Sequence, residues 1–123
     1  MKVKLIKSPN SQKKFRVILE DGRKVDFGGR GYTDYTIHRD PLQMRRYVQR
    51  HGGIITRRIM NMKDPRRVHT QMLRVERSDK ERWSINGIAT AGFWSRWLLW
   101  SQPSMDAAMR YMSIRFGITF IKK

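Results

Sequence analysis

The chain has 123 residues, with 27 Lys and Arg against 10 Asp and Glu, a formal charge of +17 and no cysteine. That length suits a single domain, and the missing cysteines exclude disulfides and thiolate metal sites. Hydrophobic residues at 39% and aromatics at 11% argue against a disordered polycation.

The charge is spread as +5 over residues 1–38, +8 over 39–77 and +4 over 78–123. Such an excess resists compaction unless anions screen it, so an acidic neighbour is expected: nucleic acid, an anionic membrane surface or an acidic protein. Arginines outnumber lysines, 17 to 10, which favours planar carboxylates, phosphates and aromatic faces. No apolar run reaches the roughly 18–20 residues that span a bilayer, so no transmembrane segment is expected. MKVKLIK at residues 1–7 lacks the apolar stretch and cleavage site of a signal peptide. The expectation is a protein kept in cytosol or nucleus.

Residues 1–12 read as a basic N-terminal arm, ahead of one domain over 13–123 that carries a basic insertion at about 52–80. KKFRVILEDGRKVDF at 13–27 has two β-rich runs around Asp21-Gly22, the signature of a hairpin with a type I′ turn. Gly28 to Tyr35 breaks the strand pattern and reads as turn or loop. Asp40-Pro41 then opens a helix to about His51, with Asp as N-cap, Pro at the first position and Gly52 beyond the end. Its Met44, Tyr47 and Val48 share one face, leaving Arg45, Arg46, Gln49 and Arg50 largely on others.

The Asp-Pro grammar recurs at Asp64-Pro65, predicting a helix to about Arg77 with Val68, Met72 and Val75 in register. Ile54–Met62 fits either helix or strand, and the polar stretch 78–87 reads as loop. Thr90 caps a short helix to Trp100, and Ser104 caps a last one ending at Gly117, with Met105, Met109, Met112 and Phe116 as its apolar stripe. Ile118 to Ile121 reads as a short strand able to pair with the hairpin. The fold class is therefore α+β: an N-terminal β-hairpin, joined by a short C-terminal strand, packed with three to four short helices.

Enzymatic signatures are weak. His38, His51 and His69 lack zinc-ligand spacing, so no metal and no cofactor are predicted. His38-Arg39-Asp40 copies the start of a kinase catalytic loop, but the rest of that motif is missing and Asp40 is better read as a helix cap. Gly28-Gly29-Arg30-Gly31 lacks the Lys-Ser/Thr ending of a phosphate loop. The expectation is a protein that is not an enzyme.

Two features carry the functional reading. Arg45, Arg46, Arg50, Arg57, Arg58, Arg66 and Arg67 fall in a run nearly free of carboxylates and are candidate polyanion contacts, suited to phosphates without base selectivity. In TAGFWSRWLLW at 90–100, Phe93, Trp94, Arg96, Trp97 and Trp100 form a segment apolar nearly all round. It serves either as core anchor or as an interface for a protein partner.

FRVILEDGRKVDFG, the Tyr32–Asp40 stretch YTDYTIHRD, RRYVQRH at 45–51, TAGFWSRWLLW and the helix ending RFGI together resemble a family of small basic proteins of unknown function from nucleocytoplasmic large DNA viruses, the giant viruses. One departure stands out: the family passes quickly from the Arg-His helix end to the aromatic block, whereas Gly52–Lys80 intervenes here. The resemblance implies a virion structural protein present in many copies, a minor capsid or internal scaffold component linking other virion proteins. It would be found in the virion, and in host cytoplasm or nucleus during assembly. The second implied role is a non-specific DNA-binding or DNA-condensing protein of the viral core.

Overall fold

The computed structural model describes residues 1–121, so the last two lysines of the expected 13–123 domain lie outside it. Four strands form one sheet in the order β3-β2-β1-β4. β1 (Lys2–Lys7), β2 (Lys13–Ile18) and β3 (Lys24–Gly29) are antiparallel neighbours, and β4 (Thr119–Ile121) pairs parallel to β1. The class is α+β as expected, with more pieces: α1 (Tyr35–His38), α2 (Pro41–Arg50), α3 (Arg57–Met60), α4 (Pro65–Leu73), α5 (Ala91–Trp94) and α6 (Met105–Phe116).

The N-terminal residues are not an arm. Val3 and Leu5 alternate with Lys2 and Lys4, the period of a half-buried strand, and the register sets Leu5 opposite Val17 and Val17 opposite Val25. Val3, Val17, Val25 and Phe27 thus form a buried sheet face. β4 joins this strand rather than the hairpin, with Val3 opposite Phe120. The hairpin turn also departs from type I′: Gly22 takes positive φ but Asp21 does not. Gly22 N–H donates to the Leu19 carbonyl and Leu19 N–H to that of Arg23, both at 2.9 Å, giving a three-residue loop with glycine in the left-handed position.

Helix boundaries follow their caps. Asp40, Asp64 and Ser104 accept from Leu42 N, Arg66 N and Ala107 N, and Gly117 closes α6 in the left-handed conformation at φ 69°. Asp34 caps α1, a helical turn that starts at Tyr35, the last residue of the stretch read as turn or loop. α4 stops at Leu73, short of Arg77, because two guanidiniums claim its final carbonyls. Arg96 donates to Met72 O and Val75 O, and Arg115 to Leu73 O at 2.5 Å.

The aromatic segment runs through the centre of the helical layer. α5 continues directly into a π-helical turn over Ser95–Leu99, and every side chain from Arg96 to Ser101 is buried. Trp94 packs on the sheet through Phe27 and Phe120, with ring centres 6.4 and 6.2 Å apart. Trp97 is held between two cations, Arg96 at 4.3 Å and Arg115 at 4.2 Å from its ring centre, and its indole N–H donates to Trp83 O at 2.7 Å. Trp83, within the supposed polar loop, is itself buried and gives its indole N–H to Glu81.

Among the described residues Arg96 has no carboxylate partner; it also donates to Trp100 O at 2.8 Å, and burial lowers its pKa to about 10. The carbonyl end of α4 carries partial negative charge and so stabilises the cation.

Two outcomes follow. Removing residues 1–7 takes out the strand between β2 and β4, and should abolish the cooperative thermal transition seen by circular dichroism; retention of that transition would restore the arm. Arg96→Met takes the donor from Val75 O and Trp100 O, while Met72 O keeps Val75 N–H, and should lower stability by at least about 2 kcal/mol in urea titrations.

Candidate functional site

The segment 39–77 keeps its charge on the outside. Its three carboxylates are all engaged: Asp40 and Asp64 cap helices, and Glu76 pairs with Arg115 at 2.7 Å. Of its Arg and Lys side chains, Arg45 alone turns inward, donating to Ile59 O at 2.9 Å and Met62 O at 2.6 Å. It is a strut that fixes the α3 turn against α2, not a free phosphate contact as expected. Every other cation from Arg39 to Arg77 is exposed, and among the described residues none of these forms an ion pair.

The placement of four of them runs against local electrostatics. Arg57 and Arg58 open α3 behind the Thr56 cap, and Arg66 and Arg67 open α4 behind Asp64, with no acidic residue in either first turn. Helix N-termini carry partial positive charge and favour anions. Apart from the cap residues Thr56 and Asp64, neither helix start carries a group that offsets its arginine pair. α2 packs against α4, so Arg46 and Arg50, one turn apart, belong to the same basic region.

Phe93, Trp94, Arg96 and Trp97 have no exposed surface. As partner-interface residues they are set aside, since their surface is spent inside the chain. Trp100 keeps a sliver of exposure and lines a cleft of about 320 Å³ beside the basic region.

That cleft brings Arg50, a predicted polyanion contact, together with residues given no such role in the sequence: Lys13 and Lys14 of β2, Gly28 and Gly29 of β3, Tyr32 to Asp34, Tyr47, His51, Glu81 and Ser95. GGRGYTDY, RRYVQRH and TAGFWSRW each supply part of it. They lie far apart in the chain, and only the fold brings the three together.

Aromatic contacts connect all three histidines. His51 stacks on Tyr47 at 4.1 Å, Tyr47 on Trp100 at 4.3 Å, Trp100 meets His38 at 5.2 Å, and Tyr35 lies 6.0 Å from His38 and 5.7 Å from His69. Burial pushes the Tyr35 hydroxyl up to about 12, and this neutral hydroxyl shares a 2.7 Å hydrogen bond with His69 Nδ1. His38 Nδ1 accepts from Asp40 N at 3.0 Å, which places the neutral ring's proton on the buried, unpartnered Nε2.

Residues 3–51 match the model of a family of unknown function (DUF5754). The match spans β1 through α2 and the first residue beyond it. It contains the Lys13, Tyr32 and Tyr47 walls of the cleft, and stops before the 52–80 segment and the aromatic block. Comparison with curated proteins and with solved structures gives no match. Among the described residues no group of His, Asp and Glu side chains could hold a metal ion, and no helix is long and apolar enough to cross a membrane.

The histidines give the fold an acid edge. Burial lowers the pKa of both His38 and His69 from the ordinary 6.5, and the Arg96 charge adds to the effect at His69. Unfolded imidazoles take protons near 6.5 while the folded ones resist to lower pH. Unfolding therefore takes up protons in that window, and stability falls as pH drops below about 6.5. Tm measured against pH should show this fall, and a His38→Gln, His69→Gln double variant should flatten it.

Proposed function

We propose that this chain is a non-enzymatic structural protein that grips nucleic-acid phosphates through the basic region of α2, α3 and α4, without reading bases. One observation carries the reading: the exposed cations of residues 39–77 have no ion-pair partner among the described residues, while the carboxylates of that segment are engaged elsewhere. Arginines at the starts of α3 and α4, costly within an isolated chain, become favourable once phosphate oxygens face them.

The setting we propose is the virion of a large DNA virus, as the resemblance implies, with the packaged genome as first partner and other virion proteins as neighbours. Genome contact leads over capsid linking for a physical reason. The aromatic anchor on which capsid linking depended keeps only an edge of Trp100 exposed, whereas the arginines lie at the surface.

Affinity for duplex DNA, followed by fluorescence anisotropy, should fall with salt at a log–log slope of about −0.9 per phosphate neutralised. Replacing Arg57, Arg58, Arg66 and Arg67 together by Ala should make that slope shallower by about 0.9 for every phosphate these four side chains neutralise, equally on unrelated sequences. A flat salt response overturns the reading. In stripped particles the chain should stay with the nucleoprotein core, and release with the outer shell favours capsid linking instead.

A further inference from the structure

The cleft beside Trp100 contains a group that its own protein leaves unused. Tyr47 is only 5% exposed, clamped between His51 and Trp100, and the plane of its ring lies within 8° of Trp100's. No hydrogen bond within the described residues reaches its hydroxyl. The buried side-chain atoms that are sealed off without a partner are His38 Nε2 and Arg96 Nε, not this one, so the Tyr47 hydroxyl opens on the cleft it lines. Facing the cleft with no partner among the described residues, it is available to donate to a ligand there. Burial also raises its pKa, which keeps it a hydrogen-bond donor.

The charges around it leave a surplus of one sign. Asp34 is saturated: Oδ1 accepts from the backbone and hydroxyl of Thr36, and Oδ2 from Lys14 Nζ at 2.6 Å. Glu81 accepts from His51 Nδ1 and Trp83 Nε1, each at 2.8 Å, and its charge is matched when His51 is protonated. Lys13 and Arg50 line the same cleft without an ion pair among the described residues. Two charged donors and the neutral Tyr47 hydroxyl match a phosphate monoester, whose several oxygens accept from more than one donor at once and which carries about −1.5 to −2 near neutral pH. At about 320 Å³ the space falls at the small end of ligand pockets, about 300–1,000 Å³. It admits one terminal group and excludes a duplex.

We propose that this cleft binds a phosphate monoester, carried by a free nucleotide or by the end of a nucleic-acid strand, with Tyr47, Arg50 and Lys13 as its contacts. The strand-end form rests on the nucleic-acid reading above; the nucleotide form does not.

The test is calorimetric titration of the full chain with inorganic phosphate, adenosine 5′-monophosphate, and a short single strand bearing either a 5′-phosphate or a 5′-hydroxyl. Binding of the phosphorylated compounds is expected, with Tyr47→Phe weakening it by about tenfold or more. Because that hydroxyl has no internal partner, the same variant should keep or raise its Tm, and it should leave the duplex salt slope unchanged. Arg50→Met should weaken the same ligands. A mononucleotide binding as tightly as the phosphorylated strand supports the free nucleotide, and tighter binding of the strand supports its end. Equal affinity for the two strand ends without binding of inorganic phosphate or the mononucleotide overturns the proposal, as does full affinity in Tyr47→Phe. Phosphate binding kept while duplex binding proves insensitive to salt sinks the nucleic-acid reading and leaves this one standing.

Discussion

The clamp of Trp97 between Arg96 and Arg115 is the constraint on which the helical layer depends. Both guanidiniums lie against one indole, and both reach the carbonyl end of α4. A single aromatic residue therefore fixes α4 relative to the π-helical turn and α6. Hydrophobic burial alone would permit these elements to slide; hydrogen bonds of fixed direction from planar donors do not. Arg96 tolerates full burial because its charge meets a helix dipole on one side and π faces on the other. Lysine, with a more strongly hydrated point charge, lacks that combination.

Charge is divided with similar economy. Asp21, Asp26, Asp34 and Glu76 each hold a cation, Glu81 a histidine ring, and Asp40 and Asp64 hold backbone N–H groups. Most acidic side chains thus serve contacts within the chain. The exposed cations without an ion pair among the described residues concentrate over α2, α3 and α4. α6 has an acid, Asp106, in its first turn, whereas α3 and α4 carry arginine pairs there.

What could be read in advance was what is local. Asp40, Asp64 and Ser104 announced their helices because a cap acts within three residues of itself, and the hairpin was visible around Gly22. β1 was legible in principle through alternating Val3 and Leu5, but its lysines drew the eye toward an arm. Trp83 and Arg96 could not be placed locally. One sits in a polar stretch and the other carries a charge, yet both are interior because partners more than ten residues away complete their hydrogen bonds. The cleft was illegible for the same reason. Tyr47 read as an ordinary inward-facing residue, and nothing near it in the chain reveals that its hydroxyl is left over.

The parallel pairing of β1 with β4 has a bearing on how the molecule comes into being. Val3 finds Phe120 only across nearly the whole chain, so the sheet stays incomplete until the last strand has been synthesised. Contacts this distant in sequence close late and slow the search for the native state. Until then a lysine-bearing strand edge stands open beside β2, and repulsion between like charges guards the nascent chain from pairing with its own copies.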